Sequence, residues 1–142
     1  APYSDTRLVQ NHSWVARADN FLVGTDLNQQ ARAANLRVDV MANQGSIIVA
    51  GMDNSSTQPL PVWLTQGYNL ISVGRSDGQH SAGLTTLDGA GRIKPDIVAI
   101  DTTTSGATAQ VSSAAALLAE RLAAPPFALS GADRARVVKA LL

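Results

Sequence analysis

The chain has 142 residues, 45% hydrophobic and 15% charged, with no cysteine; a domain of that length buries roughly 68–70% of the surface its unfolded chain exposes and needs no disulfide or metal staple. This composition excludes a disordered segment, and the lack of cysteine excludes thiol catalysis, thiolate metal sites and disulfides together. Eleven basic side chains balance eleven acidic ones, which leaves no electrostatic footprint for nucleic acid or an acidic membrane, and no apolar run reaches the about 18 residues that would read as a membrane span.

Leu8 and Val9 open a brief strand that runs into Asn11-His12-Ser13-Trp14. From Thr25 to Asn43 the pattern is helical: Thr25 or Asp26 caps the start, and Leu27, Ala31, Ala34 and Val38 recur at helical intervals. Gly45 is placed to stop that helix. Ser46 to Ala50 is a short β-branched run ending at Gly51, the pattern of a strand buried on both faces. A polar, proline-bearing loop follows from Asp53 to about Val62. Leu70 to Val73 and Ile97 to Ile100 are two further strands of the same kind, separated by a turn-rich stretch from Gly74 to Pro95. Ser105 begins an alanine-rich helix reaching about Ala124, where Pro125-Pro126 ends it. A last short helix runs from Gly131-Ala132-Asp133 through Leu141.

Continuous apolar strands alternating with helical segments predict an α/β fold with a parallel sheet flanked by helices. The strands ending near Gly51, Gly74 and Ile100 are expected side by side. Open sheets of this class carry their chemistry beyond the carboxyl ends of the strands. Three turns answer that description, after Trp14, after Gly51 and after Ile100.

The third turn carries the most specific motif. Thr102-Thr103-Thr104-Ser105-Gly106-Ala107-Thr108-Ala109-Gln110-Val111-Ser112-Ser113-Ala114-Ala115-Ala116-Leu117-Leu118 follows the strand Asp96-Ile97-Val98-Ala99-Ile100. It resembles the nucleophile segment of the subtilisin-like serine proteases. Lys94-Pro95-Asp96-Ile97-Val98-Ala99 looks like that family's approach strand. Asn69-Leu70-Ile71-Ser72-Val73-Gly74 looks like its Val-Ile-Ser-Val-Gly segment. Ile48-Val49-Ala50-Gly51-Met52-Asp53-Asn54 is similar to its Val-Val-Ala-Ala-Gly-Asn strand end, and Asn11-His12-Ser13-Trp14 echoes its Asn-Ser-Trp segment. Order and approximate spacing agree from Leu8 to Leu118.

The resemblance implies a serine endopeptidase acting on a peptide or protein substrate through an acyl-enzyme, without a cofactor, in a secreted or cell-envelope setting. Ser105 would be the nucleophile, at the positive end of a helix where charge developing on an attacked carbonyl is stabilised. The bland alternative is that Ser105 only caps its helix. Asn54 would supply the second oxyanion donor, although the family places that Asn directly after Gly and here Met52-Asp53 intervene; the alternative is a local turn. Ser13, Trp14, Ala50 and Gly51 would flank the substrate, with Val15 standing where relatives carry Gly; Trp14 read alone is a core aromatic. No metal ligand is carried over, and no His/Cys cluster suggests one.

A serine nucleophile needs a base and a carboxylate to orient it. The family's Asp-Thr-Gly or Asp-Ser-Gly turn and its His-Gly-Thr segment are both missing: Asp5-Thr6-Arg7 lacks the glycine, and the two histidines, His12 and His80, fall at structural or surface positions. The chain therefore reads, over residues 1–142, as the carboxyl-terminal portion of a catalytic domain, inactive alone. Its apolar, charge-poor composition suits pairing with the missing amino-terminal half or with a copy of itself. The alternatives are a non-catalytic relative that binds peptides or proteins, and, ranked last, an α/β module for a small ligand.

Overall fold

The computed structural model describes residues 7–15 and 26–142; Asp5-Thr6 and the Thr25 cap lie outside them. Strands β1 (Val9–His12), β2 (Ile47–Gly51), β3 (Ile71–Arg75) and β6 (Ile97–Ala99) form a four-stranded sheet in the order β1-β2-β3-β6, parallel throughout. The expected neighbours β2, β3 and β6 do lie side by side. Helices α1 (Leu27–Asn43), α2 (Thr104–Ala123) and α3 (Gly131–Leu141) complete the fold.

Alternation along β2 divides the core. Ile47 and Val49 point to one face, where Ala107, Val111, Ala115, Ala119 and Leu122 of α2 pack with Ala135 and Val138 of α3. Ile48 and Ala50 point to the other face, against Val38 of α1 and Leu70. All of β2 is buried, as its unbroken apolar run requires. The alanines on the inner stripe of α2 let it lie close across all four strands.

Two local features explain helix placement. The Asp26 carboxylate accepts from the Gln29 N–H at 3.1 Å and caps α1. Gly45 ends it with φ +109°, and a Cβ built there would sit 2.8 Å from the carbonyl carbon of Gly131, at the start of α3. Gly45→Ala is thus penalised by conformation and by contact, and is expected to cost about 2–4 kcal/mol. A lower urea midpoint at unchanged denaturant slope would show it; an unaltered midpoint would refute the close approach.

The turn-rich stretch differs from its reading as a plain connection. It contains an antiparallel hairpin, β4 (Gly83–Thr86) and β5 (Gly89–Lys94). The Asp88-Gly89 pair is a hairpin-turn signal, and Gly89 has φ +113°. Short, glycine-rich strands hide the period-2 pattern.

At the opposite end of the sheet from the strand termini, charged side chains hold the turn Gly67–Leu70. The Asp39 carboxylate of α1 accepts from the N–H groups of Tyr68 (3.0 Å) and Asn69 (2.6 Å). Arg92 donates to the Gly67 carbonyl at 2.8 Å with its guanidinium 3.7 Å from the centre of the Tyr68 ring. Lys139 of α3 donates to the carbonyls of Tyr68 (2.5 Å) and Leu70 (2.8 Å). Lys94, 2% exposed, pairs with Asp96 at 2.8 Å, and the same Asp96 oxygen accepts from the N–H and hydroxyl of Ser72, both at 2.7 Å.

Candidate functional site at the carboxyl ends of the strands

The turn from β6 into α2 is short, and its polar side chains are used to build the helix start. Thr103 is the N-cap, its hydroxyl accepting from the Gly106 N–H at 3.0 Å. The Asn54 side-chain oxygen accepts from the Thr104 N–H at 2.6 Å and the Thr104 hydroxyl at 3.1 Å. That hydroxyl also lies 2.6 Å from the Met52 carbonyl, to which it donates. Among the described residues, the Ser105 N–H is left without an acceptor at the positive end of α2, between two capped neighbours.

Ser105 is half-buried in the first turn of α2. Its hydroxyl donates to the Ser13 carbonyl at 3.2 Å, and the Ser13 hydroxyl donates to the Ser105 carbonyl at 3.4 Å. Ser13 is held in turn by the Asn11 amide at 3.0 Å, and Asn11 accepts from Ser112 of α2 at 3.1 Å. This chain of hydrogen bonds ties the end of β1 to the helix that carries Ser105. Trp14, next along, is 52% exposed and packs edge-on against His12 with ring centres 6.2 Å apart. It is not a core aromatic.

The structure thus brings Ser105, Ser13, Trp14 and Asn54 to one end of the sheet. Ala50 and Gly51 end β2 at the same end of the sheet, where only their backbone is left to flank a substrate. The Ala50 side chain is buried with Val38, Ile48 and Leu70. Gly51 is buried under α2, where an added Cβ would meet the Thr108 hydroxyl at 2.8 Å. The reason is the pleat: Ala50 points to the α1 face, and α2 rests directly on Gly51.

Neither histidine is hydrogen-bonded to Ser105. His80 is buried against Gly74, and its Nδ1 accepts from the Arg75 N–H at 3.1 Å, so it shapes the end of β3. His12 Nε2 lies 3.3 Å from the Gln10 side-chain oxygen.

Two residues at this site were not singled out from sequence. Thr104 joins Asn54 and Met52 to the helix start. The Asp101 carboxylate accepts from the Thr103 N–H (3.1 Å) and the Gln110 amide (3.0 Å). The Thr103 N–H bond, helped by donors from Thr102 and Gln110, outweighs a desolvation that acts in the opposite sense and holds the Asp101 carboxyl below its usual range. A Cβ on Gly106 would fall 2.2 Å from this carboxylate, so the glycine is what admits Asp101 to the helix end. The run Asp101-Thr102-Thr103-Thr104 was the available signal, a string of side chains that cap backbone N–H groups.

Among the described residues no group of three or more His, Cys, Asp or Glu side chains is arranged to hold a metal ion, and no helix is long and apolar enough to cross a membrane. Comparison with models of known families, with curated proteins and with solved structures gives no match.

Proposed function

We propose that the chain is the nucleophile-bearing part of a subtilisin-like serine endopeptidase, with Ser105 attacking the substrate carbonyl and the Ser105 N–H and Asn54 amide receiving the oxyanion. The observation that carries this reading is the open Ser105 N–H in the first turn of α2, beside an Asn54 whose oxygen is occupied by Thr104. With that oxygen engaged, the NH₂ of Asn54 remains to donate, and among the described residues nothing takes it up. The base and its carboxylate come from a segment carrying the Asp-Thr-Gly or Asp-Ser-Gly turn and the His-Gly-Thr motif. The motifs of Lys94 to Leu118 support the family assignment.

A fluorophosphonate probe tests the proposal. The 142-residue chain is expected to stay unlabelled, because an unassisted serine hydroxyl is a weak nucleophile. Labelling of Ser105 is expected once a polypeptide with the two missing motifs is supplied, in one frame or as a separate chain. No labelling in either arrangement would sink the peptidase reading. In the labelled assembly, Asn54→Leu is expected to lower the acylation rate about 10²–10³-fold, read from single-turnover kinetics; a change under about threefold would remove Asn54 from the role.

One observation favours the second reading, a non-catalytic module that binds peptides or proteins. The Asp101 carboxylate fixes a negative charge against Gly106, next to the place where an oxyanion would form. The probe separates the two: a chain that binds peptide yet stays unlabelled with both missing motifs supplied is the non-catalytic module, and labelling of Ser105 excludes it.

A further inference from the structure

The geometry points to a docking groove for an extended, uncharged stretch of polypeptide along β4, leading away from the Ser105 end of the sheet. The groove has a volume of 460 Å³ and is lined by Pro59, Leu60 and Val62 of one loop and by Ala82, Leu84 and Leu87 around β4. That volume is within the about 300–1,000 Å³ range of clefts that take a small ligand.

The occupant follows from three features of the groove. First, none of its lining residues is ionisable, so a charged side chain entering it would lose hydration without gaining a partner. Second, among the described residues β4 pairs with β5 alone. Among the described residues no backbone group of Gly83–Thr86 bonds to anything outside that hairpin. Open strand edges of this kind are completed by another extended backbone, with side chains alternating into the groove. A two-stranded ribbon gains most from a third strand, being marginal alone. Leu84, 60% exposed, is the apolar contact waiting on that strand.

Third, the two ends of the groove differ. Past β4 it is closed, because the Leu87 N–H donates to the Gln66 side-chain oxygen at 2.7 Å and the Leu87 carbonyl accepts from Arg32. At Ala82, which is exposed, it lies beside the segment that leads to Asn54: the Ser81 N–H donates to the Asp53 carbonyl at 3.0 Å, and the Asp53 N–H to the Ser81 hydroxyl at 3.2 Å. Asp53 precedes Asn54. The Ala82 end of the groove therefore adjoins the segment that carries Asn54, the side from which a polypeptide bound at Ser105 would enter it. This rests on the reading of that site as one that receives polypeptide, and it adds a preference for uncharged, apolar residues at a distance from the attacked bond.

Amide chemical shifts of the ¹⁵N-labelled chain, titrated with an acetylated and amidated peptide of alternating alanine and leucine, test it. Shifts are expected at residues 59–62 and 82–87. A matched peptide with glutamate for leucine is expected to leave those amides unmoved. Leu84→Asp, a change at an exposed position that should not disturb folding, is expected to weaken binding by about tenfold or more. The Ser105→Ala chain is expected to bind as the parent does, so loss of labelling and loss of groove binding report on separate claims. Equal binding of the glutamate peptide, or indifference to Leu84→Asp, overturns the proposal. So does self-association in sedimentation that Leu84→Asp abolishes, since a second copy would then be the occupant.

Discussion

In an assembly competent for labelling, Ser105→Ala is expected to abolish fluorophosphonate modification and to cut peptide hydrolysis by about 10⁴–10⁶-fold, leaving only what the oxyanion donors and binding contribute. The size of the loss follows from the site's construction. Ser105 Oγ lies 3.2 Å from the Ser13 carbonyl, and the neighbouring hydroxyls are committed elsewhere: that of Thr104 to Met52 and Asn54, that of Ser13 to the Ser105 carbonyl. Alanine keeps the helix start intact, since capping there is done by Thr103 and Asn54 and not by Ser105. Stability should consequently change little while activity is lost. That contrast distinguishes a nucleophile from the bland reading of Ser105 as a cap, for which alanine would lower stability by about 0.5–2 kcal/mol and leave any activity alone.

The largest stability effect is expected at Asp96. Lys94 is 2% exposed and its ammonium is paired with Asp96 at 2.8 Å. Asp96→Ala leaves that charge buried and also frees the N–H and hydroxyl of Ser72 within β3. The expected cost is about 3–5 kcal/mol, a large part of the about 5–15 kcal/mol that holds a typical domain together. Changing Lys94 to Met alongside should cost much less than the sum of the single changes, because the two residues share one interaction. Denaturant curves on the four proteins check this, and strict additivity would show that the pair is not coupled.

The same pair gives the pH dependence a definite sign. Burial pushes the Asp96 carboxyl up, but the Lys94 charge, with hydrogen bonds from Lys94 and Ser72, outweighs burial and leaves it below its ordinary 3.8. Its contribution is present above that value and is lost as pH falls through the lower, folded value. Burial lowers the Lys94 ammonium from 10.5, against the opposing pull of Asp96, and burial lowers Lys139 likewise. Between the folded value and 10.5 the unfolded chain binds more protons, so these lysines make stability rise with pH there. Asp96→Asn should flatten the acid limb of a midpoint-against-pH plot, and an unchanged limb would place the acid sensitivity elsewhere.

Much of the fold was legible because the main sheet depends on composition over short windows. The run Ser46–Ala50 yields β2 at Ile47–Gly51, and the small-residue stretch after Ser105 yields α2 at Thr104–Ala123. Both are patterns that burial on two faces, or close packing on a sheet, imposes directly. The hairpin was harder to see because β4 and β5 are not buried on a common core face, so no hydrophobic period marks them. The site was legible in part. Ser105 and Asn54 took their roles from motif positions, whereas Asp101, and Thr104 although it stands in the same motif, work through hydrogen bonds between segments about 50 residues apart or across a turn, and no spacing rule exposes such contacts. For Ala50 and Gly51 the motif named a stretch of backbone, and it did not say which face of the pleat the Ala50 side chain takes.

The placement of α2 also has a consequence for biosynthesis. It covers one face of all four strands, yet it comes after every one of them in the chain. During translation, at about 5–20 residues per second, the apolar face of β1 and β2 would wait several seconds or more for its helix. Throughout that interval Ile47 and Val49 are without the alanine stripe that later covers them, so the nascent chain carries an apolar surface open to aggregation. Slowing elongation within the codons for residues 104–123 should lengthen that exposure and reduce the soluble yield, while the same delay placed after Ala123 should not.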